Sequence, residues 1–350
     1  MVHWCFRWSL TAGFLLFAGS AFAAGDTSPR NPLLDGLPQE LQEGLQEPVK
    51  DTPRQEVDPT ADLAYGAFQR GYYLSALAVA THNAGKGESA AQALLGLIYE
   101  HGYGVPRDLK KAASWYELAS QSGDREAEYR LGLLYLDGLG VPKSRTKAAE
   151  YFRLAAEKGQ PKAAYNLGLL YLSDDIFEKD PEKAAKLFEL AARAGNADAQ
   201  YGLALMYKSG KGVRTNNSQA AVLFRDAALS GHLPAQVELA IMVFNGVGTE
   251  KNEELAAEWF KMAAQSGNPV AMNRLARLYA SGSGLQPDPV EAGRWHIRAR
   301  QAGVSDLWLD GFLESLDEKT REEAMARANP KQHSQAPSLQ QDPGAAPKQP

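Results

Sequence analysis

The side chains able to do chemistry are dispersed along this sequence. Its six histidines (His3, His82, His101, His232, His296 and His333) include no pair four apart and no His-Glu-x-x-His, so a zinc ligand set is missing. Ser209-Gly-Lys-Gly212 has the look of a phosphate loop, but the earlier glycine that such a loop needs is absent. No Gly-x-Ser-x-Gly elbow occurs, and no Gly-x-Gly-x-x-Gly follows a strand pattern. Carboxylates are plentiful, yet they fall on polar helix faces or at helix starts, where they favour the helix dipole. The only cysteine, Cys5, precedes an apolar stretch and is no part of any cluster. The expectation is a protein with no catalytic residues, no metal and no cofactor.

The ends and the composition bound the remaining possibilities. Arg7 leads into the apolar run Trp8 to Gly19, and Ala21-Phe22-Ala23 has the small-x-small form of a signal peptidase site. Residues 1–23 are expected to be a secretory signal removed after Ala23, leaving a periplasmic or secreted chain without cysteine. That run is shorter than the roughly 20 residues needed to cross a bilayer, and no later run is long enough. At 44% hydrophobic and 23% charged residues the chain can bury a core. Its formal charge of −5, one unit more negative without Arg7, argues against a nucleic-acid partner.

The dominant signal is internal repetition. From Ser89 the chain divides into six uninterrupted blocks of 36 residues, 89–124, 125–160, 161–196, 197–232, 233–268 and 269–304. The third residue of each block is alanine (Ala91 through Ala271), the seventh leucine (Leu95 through Leu275) and the penultimate glycine (Gly123 through Gly303). Within the second block Ala127, Leu131, Leu134 and Tyr135 recur at helical spacing. Asp137-Gly-Leu-Gly-Val-Pro142 then breaks the helix, and Ala148, Phe152, Ala155 and Ala156 form the inner stripe of a second one, ended by Gly159. A hairpin of this size cannot cover its own apolar side, so the blocks must stack.

The units Ala127-x3-Leu131-Gly132-x2-Tyr135-x2-Gly138-x-Gly140-Val141 and Ala148-Ala149-x2-Phe152-x2-Ala155-Ala156-x2-Gly159 resemble the Sel-one-like repeat, a relative of the tetratricopeptide repeat. The resemblance covers residues 89–304 and implies an all-α fold: a right-handed α-solenoid of tandem helix-hairpin repeats, with the first helix of each hairpin lining the concave side. Residues 61–88 look like a degenerate N-terminal unit, with helices at Ala64 to Phe68 and Tyr73 to Ala78. The third block departs from the pattern, with Ser173 to Pro181 where the Gly-x-Gly turn should be. The sixth carries His296 where the others have an aromatic and Arg300 where four of them have an alanine, as expected of a last repeat that meets a cap. Residues 305–328 are expected to be that cap, with Ser305 as one N-cap and Ser315 with Glu318 as a capping box. The proline-rich residues 24–60 read as a linker and residues 329–350 as a disordered tail.

The resemblance places positions 5, 9 and 12 of each repeat in the groove. The candidate partner-binding residues are therefore Tyr129, Tyr165 and Tyr201 beside Leu133, Leu169, Leu205 and Ile241, with Glu238, Phe244, Asn273, Arg274 and Arg277 toward the C-terminal end. Aromatics and arginines among apolar neighbours are the composition of interface anchors. Relatives of this kind are mostly adaptors, and secreted bacterial ones are implied to act in the cell envelope, including on membrane receptors and sensor kinases. The expected function is a non-enzymatic scaffold holding a partner protein or peptide. The alternative is an envelope-polysaccharide or peptidoglycan binder whose tyrosines stack on sugar rings.

Overall fold

A computed structural model describes residues 59–173 and 178–329. The expected signal peptide, nearly all of the linker, the middle of the third repeat's turn and the tail lie outside the described residues. Among those described, sixteen helices and no strand occur. A leading hairpin, α1 (Pro59–Gln69) and α2 (Tyr73–Ala84), is followed by six more: α3 (Ser89–His101) with α4 (Leu109–Gln121), α5 (Arg125–Asp137) with α6 (Arg145–Glu157), α7 (Pro161–Leu172) with α8 (Pro181–Arg193), α9 (Ala197–Ser209) with α10 (Asn217–Leu229), α11 (Leu233–Asn245) with α12 (Glu253–Gln265), and α13 (Pro269–Ser281) with α14 (Pro289–Gln301). Two further helices, α15 (Leu307–Ser315) and α16 (Glu318–Ala328), close the stack. The chain is an all-α solenoid of tandem helical hairpins.

Local chemistry fixes the helix ends. Every second helix of the six repeats starts on a short acceptor side chain, Asp108, Ser144, Asp180, Asn216, Asn252 or Asp288, that takes a backbone N–H of the first turn. First helices from the second repeat on are capped likewise by the last residue of the block before, namely Asp124, Gln160, Asn196, His232 and Asn268. All first helices but one end on a left-handed glycine such as Gly138. The exception is the third repeat, where Ser173 is extended instead (φ −92, ψ 154), so its turn geometry differs as its sequence implies. In the cap, Asp306 rather than Ser305 starts α15, and Asp317 rather than Ser315 starts α16. Aspartate accepts two or more donors at these sites, from Trp308 and Leu309 in one case and from Thr320 backbone and hydroxyl in the other, which a serine oxygen there does less well.

Within each of the first five repeats one aromatic fills the space between the helices: Tyr116, Phe152, Phe188, Phe224 and Phe260 are all buried, and His296 takes the place in the sixth. The first helix passes over the ring so closely that a Cβ on Gly168 would lie 2.6 Å from Phe188. Alanines on both helices fill the remaining space, which gives interior packing without large side chains. Successive hairpins interlock through two devices. Gln92, Gln200 and Gln236 each donate through Nε2 to a carbonyl eight residues back, that of Ala84, Ala192 or Ala228. The turn glycine Gly212 presses on the preceding repeat, where a Cβ would sit 2.3 Å from the Pro181 carbonyl oxygen; Gly140, Gly248 and Gly284 do the same on Leu109, Asn217 and Glu253.

Candidate protein-interaction face

The first helices present one face of the stack, and the residues expected there divide into three groups. The three tyrosines are half-buried, with ring centroids 6.1 Å (Tyr129 to Phe152), 5.2 Å (Tyr165 to Phe188) and 5.7 Å (Tyr201 to Phe224) from the core phenylalanine of the same repeat. Burial pushes all three phenols above their ordinary pKa. Tyr201 also packs against His232, with ring centroids 4.6 Å apart. These rings reach inward because a side chain of this length at position 5 spans to the aromatic at position 28.

The aliphatic row four residues on is more open. Leu169 is 41% and Leu205 36% exposed, with Leu133 and Ile241 half-buried on either side. Glu238 is held by Lys208 of the preceding repeat at 2.7 Å.

At the C-terminal end the side chains converge. Ile241, Phe244, Phe260 and Leu278 wall a cleft of about 230 Å³, and Arg274 and Arg277 stand at it with Asn245, Ser281 and Ser283. Arg274 is exposed and has no carboxylate partner among the described residues, unlike Arg130, Lys208 and Arg277. Asn273 is buried and donates to Asp306 Oδ2 at 2.9 Å, so it serves the join between the last repeat and the cap. Arg277 grips the same carboxylate and lies 5.1 Å over the Trp308 ring. Burial pushes the Asp306 carboxyl up, but the donors Arg277, Asn273 and Leu309 outweigh it and bring its pKa down to about 2. Trp308, half exposed, thus stands beside the cleft from the cap. Sequence reasoning missed it, because only the Arg277–Asp306 contact across the cap brings it beside the groove residues.

Among the residues that line this cleft, no nucleophile stands beside a base. No cluster of three or more potential metal ligands occurs among the described residues, and no helix there is long and apolar enough to cross a membrane.

A stack of helical hairpins offering apolar side chains and an unpaired guanidinium on one face defines an α-solenoid of the protein-interaction class. The Sel1 repeat is matched at residues 89–124, 125–160, 161–196, 197–232, 233–268 and 269–304, and the chain belongs to the Sel1 repeat family. Members are in general interaction scaffolds without catalysis. Among solved structures, a protective antigen present in uropathogenic Escherichia coli strains, which displays the same repeat fold, is 28% identical with a TM-score of 0.70 over 77% of this chain. The match spans 61% of the E. coli protein. A Sel1 repeat protein from Oxalobacter formigenes is 27% identical, with a TM-score of 0.61 over 71% of this chain and 100% of its own. No curated protein matches the sequence.

Proposed function

We propose that the protein is a non-enzymatic scaffold of the bacterial cell envelope, exported by its N-terminal signal, that holds a partner protein or peptide on its first-helix face and so regulates a membrane receptor or sensor kinase. The observation that carries the binding role is the cleft at the fifth and sixth repeats. An apolar pocket, a free arginine and an exposed tryptophan stand together there, the grouping from which interface hot spots are built. The three tyrosines are half-buried and engaged with the core phenylalanines, which weakens the alternative in which those rings stack on sugars.

Crosslinking in intact cells, followed by affinity recovery and mass spectrometry, tests the reading. Phe244→Ala and Arg274→Glu are expected to lose a partner protein that the unaltered chain and a Lys110→Gln control both retain. Equal recovery of every partner by all four chains would remove the cleft from the function.

A further inference from the structure

A second site lies on the second helices, away from the cleft. We propose that the junction of the fifth and sixth repeats carries a pocket for a phosphate-type oxyanion. About 200 Å³ in volume, it is lined by Lys261, Gln265, Tyr279, Glu291, Arg294, Trp295 and Arg298. Three of these are cations in a chain whose formal charge is −5.

Their charge is only partly neutralised. Arg294 donates through Nη1 to both Glu291 oxygens, at 3.1 and 3.0 Å, and Arg327 takes the same carboxylate at 3.1 Å. Arg327 has Glu323 as well, at 2.6 Å, but Glu291 is the only carboxylate paired with Arg294 among the described residues. The Nε of Arg294 is buried with no acceptor, which is costly unless something accepts from it. Lys261 has only Glu258, at 3.8 Å, and Arg298 has no carboxylate among the described residues. Trp295, buried beneath, has both the Arg294 and the Arg298 guanidinium over its ring at 4.8 and 5.0 Å, which holds the two cations in place.

The repeat itself provides the comparison. At the position of Arg298 the other blocks carry Leu118, Leu154, Leu190, Asp226 and Met262, residues suited to covering the neighbouring helix or facing water. No other junction has a cation at all three of the positions held here by Lys261, Arg294 and Arg298. Stacking alone therefore does not call for them. Planar guanidiniums with a lysine, a phenol and an amide supply the several donors that a tetrahedral oxyanion accepts. A free phosphate and the phosphate of a lipid headgroup share this chemistry.

Calorimetric titration of the full chain with inorganic phosphate, and flotation with phosphatidylcholine vesicles with and without phosphatidylglycerol, address the two sources. Arg298→Leu, which installs the residue of three other repeats, is expected to weaken binding at least about tenfold, with unchanged circular dichroism; Lys110→Gln is expected to leave it intact. Should Arg298→Leu not fold, Arg298→Gln takes its place. A response to phosphate identifies a soluble ligand, and a response only to anionic vesicles a membrane-held one; either supports the site if the Arg298 variant loses it. No saturable binding of either probe at up to about 10 mM, or equal binding by wild type and variant, overturns it.

Discussion

Arg277 binds Asp306 through two parallel hydrogen bonds, Nε to Oδ2 and Nη2 to Oδ1, both 2.7 Å. The last repeat thus holds its cap by a bidentate charge pair, with the Asp306 carboxylate almost fully enclosed. A second contact runs parallel to it: His296 Nε2 lies 2.8 Å and Arg300 Nη1 3.2 Å from Asp310 on α15.

The first prediction concerns acid. A carboxylate whose folded pKa is depressed adds stability that is complete above its unfolded value and is lost as pH falls through the folded one. For Asp306 that window runs from 3.8 down to about 2. Thermal melts should show α15 and α16 loosening across it, followed by hydrogen exchange in those helices. Asp306→Asn should lower stability by about 1.5 to 3 kcal/mol at neutral pH and flatten that part of the acid dependence. An unchanged acid profile in the variant would place the latch elsewhere.

Glu128 stands where three other repeats have glutamine, and it is buried with Lys158 as its partner. Lys158→Ala strands this carboxylate and should cost about 3 kcal/mol, the lower end for a broken buried pair because Lys158 is partly exposed. Glu128→Gln in the same chain should recover most of that loss, since an amide can donate to the carbonyl eight residues back, as Gln200 does. Urea denaturation of the single and double variants decides it; no recovery means that the glutamine contact is incidental.

Two glycines with similar φ separate strain from collision. Gly195 has φ +79 and open space where a Cβ would stand, so Gly195→Ala should cost about 1 to 2 kcal/mol of backbone strain alone. Gly212 has φ +73 and also meets the Pro181 carbonyl, so Gly212→Ala should cost about 1 to 3 kcal/mol more. Equal midpoints of unfolding for the two variants would show that the turns do not brace the preceding repeat.

Tyr165→Ala should act on folding rather than on capture. The ring packs on Phe188, so its removal is expected to destabilise by about 3 kcal/mol while the folded fraction still recovers partners. Phe244→Ala, at the open cleft, should show the reverse: near-native melting and lost recovery.

The repeat register was open to reading because Ala, Leu and Gly recur in identity at fixed positions, and each identity answers a local need for close approach or a left-handed turn. The caps were less visible. Asp, Asn, Ser, Gln and His all serve at equivalent helix starts, since any short acceptor suffices, and so no single letter repeats. The face itself was legible in part. Leu169 and Leu205 are exposed and Phe244 and Arg274 line the cleft, but the reach of Tyr129, Tyr165 and Tyr201 toward the core depends on an aromatic 23 residues further on. Asn273 and Arg277 were assigned to the groove; their tie to Asp306 depends on where the chain turns after the final repeat, which no repeating pattern specifies.

A stack of like units has no inherent length, and what limits this one is α15 and α16. Leu309, Leu313 and Ala324 cover the outer side of α14, where a Cβ on Gly293 would come within 2.8 Å of the Ala324 Cβ. A chain ending at Gly303 would bare Ile297 and the face of α14 around Gly293. An apolar face opened in this way favours association with other molecules. The charged latch on Asp306 and Asp310 is, in that sense, what keeps the end of the stack shut.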